Sequence, residues 1–441
     1  MTTVQRYSAI SKLAFPIGIA LSSNLVMSLI DLAMVGRLGN RAIAAVGLSA
    51  FSFTLILAFV VGIAPAVQGL IARRRGEGSS DPICLPLNAG LLAALVVGIP
   101  LTVVCWFLTP FFFVHVSSDP EVTKIGIPFL RTLYLGIAAS GMNNAFKGYW
   151  SGLEKPNVYM TIALLMDGLN ILVNYILIFG HFGVHAMGAT GAAVGTLSAL
   201  YAGVIINAFV THTRSKDAGF VSALPGQKLL ASIMKLGLPA TLQNFFYAAG
   251  YVVFLWMVGQ VGTTELAAAS VLVRIAEVLL LLAMSLGSAS ATLVSRTVGE
   301  GDMAAAAQWG WDTAKLGVLA ITIMGMPLFV FPQAFLALFV SDPHTIAMAV
   351  LPLRIMAASA GLGSLIYIFA YTLYSVGYGN RVALISFATQ WVLFLPAVWI
   401  VGPYLHYGLL QIWLVQAVYG ALVTVLITAL WADGRWKRVK V

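Results

Sequence analysis

Long apolar runs separated by short polar clusters fill the chain. They fall at about residues 12–36, 43–72, 84–110, 121–147, 157–180, 186–211, 229–260, 265–295, 308–339, 345–375, 381–402 and 408–431. A helix needs roughly 20 apolar residues to cross a bilayer, so the pattern predicts about twelve transmembrane helices and an all-α integral membrane fold. A membrane β-barrel would show segments of roughly ten alternating residues instead. Composition agrees: 60% of the 441 residues are hydrophobic and 9% charged, with a mean hydropathy of +0.95. A soluble domain carries about 25% charged residues. With so few charges, most of the outer surface must face lipid.

The net charge of +9 is unevenly spread. With the N-terminus inside, only Arg37, Arg41, Lys124, Arg131, Arg274 and Arg354 of the 24 basic residues lie on or toward the far side. Clusters such as Arg73-Arg74-Arg75, Arg214-Ser215-Lys216 and Arg435 to Lys440 fall on the near side. The positive-inside rule then predicts a multi-pass protein with both termini in the cytoplasm, as an even helix count requires. Anionic lipid headgroups satisfy the basic balance, and no nucleic-acid partner is required. The first apolar run is too long for a cleaved signal peptide and is interrupted by Asn24 and Asp31. Cys84 and Cys105 fall near opposite ends of one predicted helix, roughly 30 Å apart by helix rise, too far to bridge. No metal framework or cofactor motif follows from them.

The chain repeats itself. Lys12-Leu13-Ala14-Phe15-Pro16 aligns with Lys235-Leu236-Gly237-Leu238-Pro239, an offset of 223 residues (239 − 16). The same offset carries Arg73 onto Arg296, Gly76-Glu77-Gly78 onto Gly299-Glu300-Gly301, and Ser118-Asp119-Pro120 onto Ser341-Asp342-Pro343. Each copy holds about six helices, so both copies have one orientation and a pseudo-two-fold axis along the membrane normal. The expected organisation is an N-terminal lobe at 1–211, a cytoplasmic linker at 212–228 and a C-terminal lobe with a basic tail at 229–441. Two such lobes around a central cleft suit alternating access.

Three acids fall deep within predicted spans, where a charge costs at least ~2.5–3.5 kcal/mol: Asp31, Asp167 and Glu277. Asn24, Ser28 and Asp31 form one helical stripe, as do Asp167, Asn170 and Asn174, and Thr196 adds a hydroxyl on the sixth helix. Together they would make a polar pocket whose carboxylate exchanges a proton or a transient Na⁺. The alternative is an acid satisfied by amide and hydroxyl neighbours that only fixes packing. Arg274 and Glu277, three residues apart, suit a partly buried structural ion pair. Gln243, Tyr247 and Tyr251, with Tyr367, Tyr371, Tyr374 and Tyr378, form two stripes fit to line a drug site, together with Asn24, Ser28 and Met27. Ordinary helix packing or an interfacial belt is the alternative for those tyrosines. No His-Glu-x-x-His or Gly-x-Ser-x-Gly motif is present, and the six histidines fall near predicted loops, so no enzyme is expected.

Several stretches taken in order resemble the multidrug and toxic compound extrusion (MATE) family along essentially the whole chain. They are Pro16 with Asp31-Leu32-Ala33-Met34-Val35-Gly36, Ala44-Ala45-Val46-Gly47, Lys155-Pro156-Asn157, Asn170-Ile171-Leu172-Val173-Asn174-Tyr175-Ile176-Leu177, Gly188 to Gly195, Gly237-Leu238-Pro239 and Gly299-Glu300-Gly301-Asp302. The resemblance implies two six-helix lobes and export of cationic or amphiphilic compounds driven by H⁺ or Na⁺. It also implies a central role for Asp31, with Asn170, Asn174 and Thr196 as its partners. The chain mixes NorM-like and DinF-like features. Tyr247 stands where the NorM-like branch has a seventh-helix glutamate, and Asn380 where that branch has an aspartate; Asn174 stands where the DinF-like branch often has an acid. These departures move the coupling expectation to the first lobe, toward protons. A flippase for a lipid-linked precursor would favour a basic cleft, whereas the deep charges here are mostly acidic. The expected partners are small drugs or toxins, the coupling ion and membrane lipids, with the chain acting as a monomer.

Overall fold

In the computed structural model, residues 2–79, 81–215, 219–223 and 225–439 are described. Lys216 and Asp217 of the expected linker, and Lys440 of the basic tail, lie outside them. The first half contains α1 (Thr3–Gly36), α2 (Asn40–Val61), α3 (Ile63–Glu77), α4 (Leu85–Val116), α5 (Pro120–Tyr134), α6 (Ile137–Gly152), α7 (Pro156–Phe179) and α8 (Ala189–Arg214). The second contains α9 (Gln227–Val261), α10 (Thr263–Gly299), α11 (Met303–Val330), α12 (Pro332–Leu336), α13 (Pro343–Ser375), α14 (Gly379–Phe387), α15 (Leu395–Trp399) and α16 (Leu409–Ala432). No strand occurs among the described residues. Among the described residues, eleven helical stretches are long and apolar enough to span a membrane, with α2 and α3 counted as one. The pair α5–α6, bent by 42°, makes a twelfth if taken as one span. The all-α, twelve-span expectation holds.

Three spans are less regular than their apolar runs predict. The second is interrupted at Gly62, between α2 and α3. The fourth bends at Leu135–Gly136. In the eleventh, π-helical turns at Ala388–Phe394 and Ile400–Tyr404 flank α15. Apolar content sets the length of a span, but backbone approach and packing set its breaks.

The internal repeat is visible in local structure. Asp119 caps α5 by accepting the Glu121 N–H at 2.9 Å, and Asp342 caps α13 by accepting the Thr345 N–H at 2.9 Å, each followed by Pro at the first helical position. The Glu121 N–H and Arg41 hold the Asp119 carboxyl below the usual carboxylate range. The Thr345 hydroxyl and N–H do the same for Asp342. Arg73 Nε meets Glu77 Oε1 at 3.0 Å, and Arg296 Nε meets Glu300 Oε1 at 2.8 Å, so one i,i+4 ion pair appears twice. Each pair precedes a left-handed glycine, Gly78 or Gly301, which ends its helix.

The chain forms two compact units. One comprises Met1–Gly18 with Leu242–Val441, the other Ile19–Thr241. The unit boundaries thus fall inside α1 and α9, and Gly18 and Thr241 are equivalent positions of the repeat. In the first of these units, Ile10, Leu13 and Ala14 of α1 pack into one core with Leu286, Ala289, Leu293 and Ile368. Arg6 pairs with the buried Asp312 at 3.0 Å and lies over the Trp309 ring. In the other unit, Ile233 of α9 joins the core of α2 to α8, with Leu229, Leu230 and Leu236 against it. Ile10 and Leu13 correspond to Ile233 and Leu236 in the repeat, so apolar matching explains both placements. Asn88 of α4 holds the described part of the linker, donating to the Gly219 and Ala223 carbonyls and accepting the Val221 N–H.

Candidate functional site: a carboxylate cluster and an aromatic cavity

In the unit Ile19–Thr241, α1, α7 and α8 bring four expected polar residues together. Asn174 is fully buried and donates both amide N–H bonds, to Asp31 Oδ1 at 2.7 Å and to Asn170 Oδ1 at 2.6 Å. Asn170 in turn donates to Thr196 Oγ1 at 3.3 Å, and Thr196 donates to the Ala192 carbonyl at 3.1 Å. Asn170 and Asn174 sit one helical turn apart, which puts both amides on one face of α7. The facing surface of α8 is notched at Gly195, where a Cβ would overlap the Asn174 amide. One Asn174 N–H is the donor that meets Asp31; the other bonds run away from it, from Asn174 to Asn170, from Asn170 to Thr196 and from Thr196 to the Ala192 carbonyl.

Two acceptor atoms nearby are left over. The buried Asn174 Oδ1 and Asp167 Oδ2 receive no hydrogen bond from a described group. Asp167 lies two turns from Asn174 on α7, within hydrogen-bonding reach of Ser23. Orphaned acceptors beside a carboxylate are what a proton or small cation satisfies. Asn24 and Ser28 do not join this network. They bond back to the Ala20 and Asn24 carbonyls of their own helix, and both are exposed, while Met27 is buried. Among the described residues no group of three His, Cys, Asp or Glu side chains has metal-holding geometry.

The unit containing Leu242–Val441 holds a cavity of about 450 Å³ between α9, α10, α13, α16 and the first π-helical stretch. Tyr247 and Tyr251 line it, as does Glu277. The ion pair read from the sequence forms, with Arg274 Nη1 3.0 Å from Glu277 Oε2. It is more open than a partly buried pair, with side-chain exposures of 69% for Arg274 and 39% for Glu277. Gln243, Tyr367 and Tyr371 do not line this cavity. Gln243 donates to Ser386 and accepts from Tyr374, and Tyr367 is hydrogen-bonded to Tyr247.

Gln390, Trp413, Gln416 and Tyr419 line the cavity without having been singled out. Gln390 and Gln416 are amides inside apolar spans, the signal that marked Asn170 and Asn174, and it was legible at both positions. Gln390 is placed by the π turn, where its Nε2 donates to the Tyr247 carbonyl at 3.2 Å. Trp391 does the same to the Phe246 carbonyl. π turns of this kind recur at functional sites.

Fold and cluster together define a multi-pass helical membrane protein of duplicated halves, with an ionisable site inside its spans. The MatE family model matches residues 16–176 and 239–400, two stretches whose starts differ by the repeat offset. The chain belongs to the MATE family, a family of transporters and not of enzymes. It is 27% identical over 357 residues to the probable multidrug resistance protein NorM of Brucella suis biovar 1 (strain 1330), covering 79% of this chain and 76% of that protein. The probable NorM of Pasteurella multocida (strain Pm70) is 26% identical, covering 96% and 88%. The multidrug resistance protein MdtK of Yersinia pseudotuberculosis serotype O:1b (strain IP 31758) is 25% identical, covering 88% and 86%. Among solved structures, a multidrug resistance MATE family transporter in an outward-facing conformation has the same fold at a TM-score of 0.88 and 20% identity, covering 98% and 97%. A MOP superfamily transporter from Pyrococcus furiosus matches at 0.86, also at 20%, covering 97% and 95%.

Proposed function

We propose that this protein is a secondary antiporter. It exports cationic or amphiphilic drugs and toxins in exchange for H⁺, or Na⁺, by alternating access, with Asp31 as the coupling carboxylate. The observation that carries the reading is the buried amide of Asn174, which donates to Asp31 and to Asn170 within a hydrogen-bonded cluster reaching Thr196, with orphaned acceptors at Asn174 and Asp167. Relatives named for multidrug resistance support the substrate class. In this reading the protein works as a monomer in the bacterial inner membrane, and the side-specific basic clusters favour both termini in the cytoplasm.

Neutralising Asp31 removes the charge that Asn174 holds and releases α1 to repack. A difference of one pKa unit between two states supplies about 1.4 kcal/mol of coupling. A membrane potential of 100 mV adds about 2.3 kcal/mol for each charge that enters. Two or three such units suffice for about a thousandfold bias. Purified protein in liposomes, loaded with ethidium and given either a pH gradient or a Na⁺ gradient, tests this. The pH gradient is expected to drive ethidium movement, and Asp31→Asn to abolish it at equal incorporation. Wild-type rates in Asp31→Asn would remove Asp31 from the mechanism.

A further inference from the structure

The cavity in the unit containing Leu242–Val441 has a composition the Asp31 cluster lacks. Its wall is a run of aromatic rings: Phe254 packs on Phe394 at 5.5 Å and on Trp413 at 6.2 Å, and Phe394 stacks on Tyr419 at 4.6 Å. Aromatic faces attract cations and flat organic groups. The volume of about 450 Å³ lies within the range of roughly 300–1,000 Å³ usual for small-molecule sites. Glu277 is the one ionisable acid or base among the lining residues, tyrosine hydroxyls aside. Apolar rings around a single carboxylate select an organic cation rather than a neutral amphiphile or an anion.

Arg274 gives the site a second property. It does not line the cavity, yet its guanidinium reaches Glu277 from one helical turn away. The pair joins two positions of the same helix, so it ties no second element into the fold. Both partners are accessible, and ion pairs so exposed are worth little. A guanidinium held this loosely is a cation that a ligand can displace.

We infer that this cavity is an organic-cation site in which Glu277 is the counter-charge and Arg274 is a tethered cation that the ligand displaces. The inference rests on the transport reading for its substrate class but not on coupling at Asp31, which lies in the other unit. Arg274 keeps Glu277 neutralised between substrates and sets a threshold: a ligand that brings no positive charge gains nothing by entering against it.

Equilibrium dialysis of the purified full chain in detergent tests this with two probes. Tetraphenylphosphonium carries rings and charge, and triphenylphosphine oxide carries the rings alone. Glu277→Gln is expected to weaken tetraphenylphosphonium binding about tenfold or more and to change triphenylphosphine oxide binding less than about twofold. Arg274→Gln is expected to strengthen tetraphenylphosphonium binding several-fold, since the competitor is gone. Unchanged tetraphenylphosphonium binding in Glu277→Gln, equal loss of both probes, or weaker tetraphenylphosphonium binding in Arg274→Gln would each overturn the inference. The assay imposes no gradient, so failure of Asp31 coupling leaves its result untouched, and failure here leaves the liposome experiment standing.

Discussion

Asn174 commits both of its N–H bonds within the cluster, so its position is set from two sides, by Asp31 and by Asn170. The third constraint is the notch at Gly195. A methyl group there has no room beside the amide, so Gly195→Ala displaces Asn174 and costs Asp31 its donor. A hydrogen bond to a charged group is worth about 1.5–3 kcal/mol, so drug export is expected to slow by about tenfold or more, with expression unchanged. Equal transport rates for Gly195→Ala and wild type in the same vesicles would show that Asn174 does not hold Asp31 in place. The polar stripes themselves were readable, because the helical period puts residues four apart on one face. That Asn174 reaches Asp31 was not, because 143 residues separate them.

At the scale of elements, the repeat also organises a close contact. Gly62 and Thr241 meet in one unit, and their repeat equivalents Ser285 and Gly18 meet in the other. Each contact pairs one glycine with one hydroxyl residue, but the glycine has changed sides. At Gly62 an added Cβ would overlap the Gly237 carbonyl as well, a backbone group that cannot swing away. At Gly18 it would meet only the Ser285 side chain, at 3.4 Å. Gly62→Ala is therefore expected to cost about 1–3 kcal/mol by overpacking. Gly18→Ala, in mid-helix, is expected to be neutral or to stabilise by up to about 1 kcal/mol. Melting of the two variants in detergent checks the contrast, and similar shifts would refute it. The need for a break at Gly62 was hidden in the sequence, since only the approach of α9 demands it. The caps at Asp119 and Asp342 were within reach, since Ser-Asp-Pro is a local start signal that needs no distant partner.

For the whole molecule, the division of α1 and α9 has a consequence for folding. Ile10, Leu13 and Ala14 complete the core built mainly by the second half, and Ile233 completes that of the first. Arg6 neutralises Asp312, whose side chain is only 8% exposed. Losing one partner of a buried pair costs about 3–5 kcal/mol. Halves cut within the linker and expressed separately are thus each missing part of a core. Each half alone is expected to aggregate or be degraded, while co-expressed halves co-purify as one folded complex. Gel filtration and thermal melting read the outcome, and a stable, monodisperse single half would contradict it.

The number of spans, the duplication and its offset, and the polar faces were all fixed by the chain's own order, because each arises from a pattern repeated over neighbouring residues. Tertiary structure alone decided three things: which unit takes the start of α1, which donor meets Asp31, and that rings from α9, α16 and a π turn line one cavity with Glu277. Those outcomes depend on groups far apart in sequence meeting at van der Waals distance, and no local period encodes such a meeting.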